Sequence, residues 1–184
     1  MVTAKLQKTL EKIKKEKEIY IFITKNKNYV HFNAQVLRYL IKKLKLIGIY
    51  VTLTTPHSTL LSHLKKENVN TSKIFFIDGT SSQEGLKVTA SNCTCIQSPN
   101  SLTELSLVIT ELANTGKFDF LFFDSISTLL VYNDLSTTQK FTQYIIGKLK
   151  AKSMCGGIIL AVEDEKTKQI IPTLSQFCDG CVNI

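Results

Sequence analysis

Arginine is nearly absent from this chain. Of 23 basic residues, only Arg38 is not lysine. Arginine is the side chain that grips phosphates and guanines in bidentate fashion and supplies transition-state charge in phosphoryl transfer. Its scarcity weakens both of those readings, and the +8 formal charge reads first as a solvated lysine surface. Lysine-mediated nucleic-acid binding stays open as a lesser alternative. No apolar run reaches the roughly 18 residues that a membrane-crossing helix needs. The N-terminus shows no apolar core followed by a small-residue cleavage site. No membrane span is expected, and the expected location is the cytoplasm. The five cysteines are an odd number in a domain of 184 residues, which argues against a disulfide framework. Cys178-Asp-Gly-Cys181 has zinc-type spacing, with Cys93-Thr-Cys95 as the conceivable second pair. Buried free thiols are the expectation, and no metal site is assigned.

Catalytic signatures are missing as well. There is no GxSxG and no HExxH. The turn after the first apolar strand, TKNKNYVHFN, contains no glycine. A phosphate-wrapping loop needs glycines for its positive φ angles and for close approach of backbone N–H groups. Neither a P-loop nor a GxGxxG dinucleotide turn is present. Strand two ends in Thr54-Thr55-Pro56, where hydroxyls cannot serve as a carboxylate base.

What is present is an alternation of apolar runs and amphipathic stretches. Phe118–Asn133, FDFLFFDSISTLLVYN, is the organising stretch. Its continuous apolar run suits a strand buried on both faces. Asp124 at the tip lies where α/β proteins place ligand chemistry, and four apolar residues followed by Asp is also the Walker B pattern. Further strands are predicted over Ile19–Thr24, Ile49–Thr54, Lys73–Ile77, Cys93–Ile96, Gly156–Val162 and Cys181–Ile184.

Between them, the spacing predicts a helix opened by Asn33 as N-cap. Its apolar face runs through Val36, Leu37, Leu40, Ile41, Leu44 and Ile47, and it ends at Gly48. A second helix is capped by Thr55 with Pro56 at its first position. Ser101 with Glu104, and Ser136 with Gln139, read as capping boxes of two more. Thr80–Ala90 reads as a loop and Lys166–Lys168 as a turn between short strands. Asp78, Asp124 and Glu163/Asp164 form a row of acidic strand tips, usable for a cation or as helix N-caps. The predicted fold is α/β: three layers, a largely parallel sheet with helices on both faces. Residues 1–17 form an amphipathic basic helix with Leu6, Leu10 and Ile13 on one stripe, and 18–184 form the domain.

The order of these pieces resembles the RecA/KaiC-type P-loop ATPase domain, particularly the archaeal KaiC-like proteins proposed to act in signalling. The matching segments are IYIFIT, LKLIGIYVTLTT, VNTSKIFFIDGTS, FDFLFFDSISTLLVYND, QKFTQYIIGKLKAKS and GGIILAVEDE, ending in FCDGCVNI. DSISTLLVYN is the most specific of them. The resemblance implies a RecA-like fold and sets Asp124 on the Walker B aspartate. It also sets the Gly-rich Lys-Thr loop on Thr24–Phe32 and the catalytic carboxylates on Thr54 and Thr55, and both are missing. The implied protein is a degenerate ATPase, not an enzyme, acting as a regulatory or scaffold module through a protein partner or self-association. The runner-up is a residual binder of ATP and Mg²⁺, with Lys25, Lys27, Asp124 and Ser125 as its vestigial site.

Overall fold

The computed structural model describes residues 4–25, 29–162 and 164–184. Seven parallel strands form one sheet in the order β4-β3-β2-β5-β6-β1-β7. They are β1 (Ile19–Thr24), β2 (Gly48–Thr52), β3 (Ile74–Asp78), β4 (Cys93–Cys95), β5 (Phe120–Asp124), β6 (Cys155–Ala161) and β7 (Gly180–Asn183). The helices are α1 (Ala4–Glu16), α2 (Val30–Arg38), α3 (His57–Lys66), α4 (Leu102–Asn114), α5 (Ile126–Tyr132), α6 (Leu135–Ala151), α7 (Glu165–Gln169) and α8 (Ile171–Phe177). This is the three-layer α/β fold that the alternation of runs predicts.

Period-two alternation within each strand sorts the core into two halves. One face is aliphatic: Ile19, Ile21, Ile49, Val51, Leu121, Ile158 and Leu160 pack against α4, α5, α6 and α8. The other is aromatic: Tyr20, Phe22, Tyr50, Phe76, Phe120 and Phe122 pack against α1, α2 and α3. Leu10 and Ile13 of α1 are buried there. A row of rings crosses the strands on this face. Phe22 stacks with Phe122 at 6.5 Å and Phe122 with Tyr50 at 5.4 Å, Tyr50 lies tilted against Phe76 at 6.0 Å, and Phe76 meets His57 edge-on at 4.9 Å. Gly157 makes the first pair possible. A Cβ there would stand 2.9 Å from Phe22 and 3.1 Å from Phe122.

The connections from β1 to β2 and from β2 to β3 step one way across the sheet over the aromatic face. Those from β4 to β5, β5 to β6 and β6 to β7 step back over the aliphatic face. Right-handed crossovers require that division of faces. Chain exits from β2 and from its neighbour β5 therefore diverge, and a crevice opens between them at the C-terminal edge of the sheet.

Several local expectations are corrected. Asn33 is not an N-cap: α2 starts at Val30, and Asn33 lies buried in its first turns. That helix stops short of Gly48, running on only as a π-helical segment, Tyr39–Lys43, with Lys45 at φ 60°. Thr55 does not cap α3; the N-cap position is Pro56, and the His57 N–H is taken by Asp78 instead. Ser101 stands at the N-cap of α4 without a side-chain capping bond: its Oγ pairs with Ser98 Oγ at 2.9 Å, and Glu104 accepts from the Gln97 N–H rather than from Ser101. Asp134, not Ser136, caps α6, accepting from Thr137. Lys166–Lys168 is helical, inside α7, held by a capping box between Asp164 and Thr167. Among the described residues no helix is long and apolar enough to cross a membrane.

Candidate functional site

Asp124 ends the central strand β5, whose four preceding residues are all buried. It lies at the divergence of β2 and β5, and it is only 3% exposed. The Tyr50 hydroxyl donates to its Oδ2 at 2.6 Å, and Asn33 Nδ2 donates to the same oxygen at 3.0 Å. Asn33 Nδ2 also reaches the Tyr50 oxygen, 3.2 Å away. Tyr29, entering α2, turns its hydroxyl toward Asp124, Ser125 and Thr54. Asp124 Oδ1 is buried with no hydrogen-bond partner. Burial pushes the carboxyl up to about 6, against the bonds from Tyr50, Tyr29 and Asn33 that hold it down. The same enclosure, together with the facing carboxylate, raises the pKa of both tyrosines.

The Asp124–Ser125 peptide is cis. Ser125 is buried, and its Oγ shares bonds with Ser127 Oγ at 3.0 Å and Thr128 Oγ1 at 3.1 Å. A crevice of about 260 Å³ lies above these residues, lined by Tyr29, Thr54, Ser125, Thr128, Tyr132 and Asp164 among others. Lys25 is exposed at the end of β1, two strands from Asp124 with β6 between them. Lys27 lies outside the described residues, as does Glu163. Of the four expected site residues, Asp124 and Ser125 therefore meet at one strand tip, and Lys25 stands on another.

The acidic strand tips divide by use. Asp78 accepts four bonds: from Thr80 N–H (2.8 Å), Ser81 N–H (2.9 Å), His57 N–H (2.7 Å) and Ser81 Oγ (2.6 Å). Burial opposes its charge, but these donors outweigh it and hold the carboxyl below the usual range. Asp164 is the N-cap of α7. Asp124 alone of the three keeps a buried carboxylate oxygen without a donor.

The family model described as "Family of unknown function (DUF7504)" matches residues 47–184. This chain belongs to that family. No curated protein matches it. Among solved structures, the KaiC-like protein PH0186 from the hyperthermophilic archaeon Pyrococcus horikoshii OT3 superposes with a TM-score of 0.65. The match covers 90% of this chain and 70% of that one at 11% identity. At that identity the likeness shows the fold alone, and the fold is RecA-like.

In this DUF7504 member the matched region contains Tyr50 and Asp124, whereas Tyr29 and Asn33 precede it. Neither Tyr50 nor Asn33 stands out as a site residue in the sequence. A buried strand-tip carboxylate must find donors, and the one local signal was a tyrosine inside an otherwise aliphatic strand, GIYVT. The cysteines also separate. Only Cys155 is buried; Cys93, Cys95 and Cys178 are half-buried and Cys181 is exposed, and none of the five is in a disulfide. Cys93 and Cys95 sit on β4 at one edge of the sheet, and Cys181 sits on β7 at the other. One centre of four thiolates is ruled out.

Proposed function

We propose that this protein is a RecA-fold domain that has lost ATP hydrolysis and works as a regulatory or scaffold module that binds another protein or itself. The observation that carries this reading is the enclosure of Asp124. A carboxylate that holds Mg²⁺ against phosphates must face the ligand. Here it is 3% exposed, and one oxygen is taken by Tyr50 and Asn33. Ser125 is committed to Ser127 and Thr128. The residues present do not fit a magnesium nucleotide, and the glycine-free turn after β1 points the same way. The carboxylate instead serves as a hub joining α2, β2 and β5.

Exposed apolar side chains support the binding role. Val131 is 77% and Tyr132 48% exposed at the end of α5, and both line the crevice. Steady ATP turnover and calorimetric ATP binding, each with and without Mg²⁺, test the loss of hydrolysis. No turnover above background is expected. Mg²⁺-dependent turnover that disappears in Asp124→Ala overturns the reading.

A second reading, a residual nucleotide binder, rests on the hydroxyl-lined crevice. Its volume of about 260 Å³ falls just under the range of roughly 300–1,000 Å³ usual for small-molecule sites. Saturable ATP binding that needs Mg²⁺ and Asp124 favours it. No heat with excess nucleotide removes it.

A further inference from the structure

We propose that Cys93, Cys95 and Asp78 form a zinc-binding corner at the β4 edge of the sheet. The placement follows from the strand period. Residues i and i+2 of a strand face the same way, so both thiols project from one face of β4. Parallel pairing sets Cys95 opposite Asp78 and Cys93 opposite Phe76, which brings the Asp78 carboxylate to that same face. The two sulfurs and a carboxylate oxygen all lie within 4.8 Å of one another.

Zinc–sulfur bonds of about 2.3 Å and zinc–oxygen bonds of about 2.0–2.2 Å put tetrahedral ligands roughly 3.5–3.8 Å apart. Small side-chain rotations close the difference. The half-buried thiols leave a path from solvent.

Two further features suit an ion. Asp78 Oδ1 accepts from the Thr80 and Ser81 N–H groups and Oδ2 from the His57 N–H and Ser81 Oγ, so the backbone donors fix the carboxylate and an ion takes the place of the Ser81 hydroxyl, the one donor that can rotate away. His57 stands beside the corner, its ring edge-on against Phe76, the register partner of Cys93, but its ring nitrogens are outside the group of donor atoms. Two thiols and a carboxylate, with water as the fourth ligand, are a donor set for zinc rather than for magnesium or calcium. Such an ion would clip the three-residue strand β4 to β3 across loop 79–92, where backbone pairing is short. This is independent of the crevice and of nucleotide chemistry.

The test uses the full chain, reduced, titrated with Co²⁺ and Cd²⁺ as spectroscopic probes and with Zn²⁺. The expected result is one ion per chain, a tetrahedral cobalt spectrum with sulfur-to-metal charge transfer, and a higher Tm with zinc. Cys93→Ser/Cys95→Ser should weaken binding by more than about tenfold, and Cys178→Ser/Cys181→Ser should leave it unchanged. In wild type, bound zinc should protect Cys93 and Cys95 from alkylation, a readout that needs no variant to fold. No saturable binding, a six-coordinate spectrum without charge transfer, or a signal that follows Cys178 and Cys181 overturns the proposal.

Discussion

The Tyr50 hydroxyl, rising from β2, donates to Asp124 Oδ2 at the tip of neighbouring β5 over 2.6 Å. Both residues are essentially removed from solvent, and Asn33 from α2 completes the contact. Three elements of the fold thus converge on one carboxylate oxygen. The other oxygen meets no donor. Half of the carboxylate is well held, and the group as a whole bears the cost of burial.

That imbalance sets a pH dependence. The carboxyl titrates near 6 in the folded protein, above its ordinary value of 3.8. Between those values the folded protein keeps a proton that the unfolded chain has released. The associated stability is fully present below about pH 4 and is lost as the pH rises through 6, amounting to about 2–3 kcal/mol. Asp124→Asn removes the titration. We expect the variant to be more stable than wild type above pH 7, by about 1–3 kcal/mol. The advantage should shrink toward zero near pH 4. Urea unfolding of both proteins across pH 4–8 checks this, and a flat difference contradicts it.

Tyr50→Phe probes the same contact from the donor side. The ring and its contacts with Phe122 and Phe76 are kept, and only the hydroxyl is lost. A bond to a charged acceptor contributes about 1.5–3 kcal/mol. We expect a loss of that size above pH 7 and a smaller one below pH 5, where the carboxyl is protonated. The Tyr50 bond is among those holding the Asp124 pKa down, so the Asp124 titration should move higher in the variant. A carboxyl-carbon NMR titration reads it directly. An unmoved or lowered midpoint would contradict the arrangement.

Sequence reading reached the sheet because its signal is local. Runs such as IYIFI and FLFF are apolar throughout, and only strands covered on both faces bury nearly every residue of such a run. Asp124 was also readable, as the polar residue that ends the central run. What it touches was not. Asn33 looks like an N-cap because asparagine favours caps, but here the approach of α2 to the sheet decides where its amide goes. The capping boxes failed for a related reason. Glu104 accepts from the Gln97 N–H in the preceding loop, and α6 begins two residues earlier than a cap at Ser136 requires, so that Asp134 takes the N-cap; both depend on how the loop enters the helix. Helix α7 is a single short, mostly polar turn, EKTKQ, and carries no periodic apolar signal. The π-helical segment Tyr39–Lys43 likewise has no signature in residue type. Cys93 and Cys95 met Asp78 only through strand register, whereas spacing drew attention to Cys178 and Cys181.

Register also explains why Gly48 begins β2. It pairs with Phe120 of β5, and the ring lies over the glycine. A Cβ at position 48 would fall 2.1 Å from Phe120 Cζ. Phe120 is fully buried, so the ring can move only by displacing its neighbours in the core. We expect Gly48→Ala to destabilise the protein by about 1–3 kcal/mol, the usual cost of overpacking. A compensating Phe120→Leu in the same chain should recover part of the loss. Chemical denaturation of the two variants and wild type measures it. A neutral Gly48→Ala would mean that the strand pair relaxes freely.

The binding role makes its clearest demand at the end of α5. Val131 and Tyr132 are exposed apolar residues beside a crevice whose floor is already closed by Tyr29 and Ser125. Changing them should therefore leave the fold alone. Surface substitutions away from caps and buried contacts usually alter stability by less than about 0.5 kcal/mol. We expect Val131→Asp with Tyr132→Ser to unfold at nearly the same denaturant concentration as wild type. If the surface mediates self-association, sedimentation velocity over a range of concentrations should show a concentration-dependent rise for wild type that the double variant lacks. Equivalent changes at Leu107 of α4, 58% exposed but not part of the crevice lining, provide the control. A rise abolished at Leu107 and kept at Val131 and Tyr132 would move the interface to the α4 side of the molecule. A wild type that stays monomeric throughout would leave a different protein as the partner for this surface, to be sought with the double variant as the non-binding control.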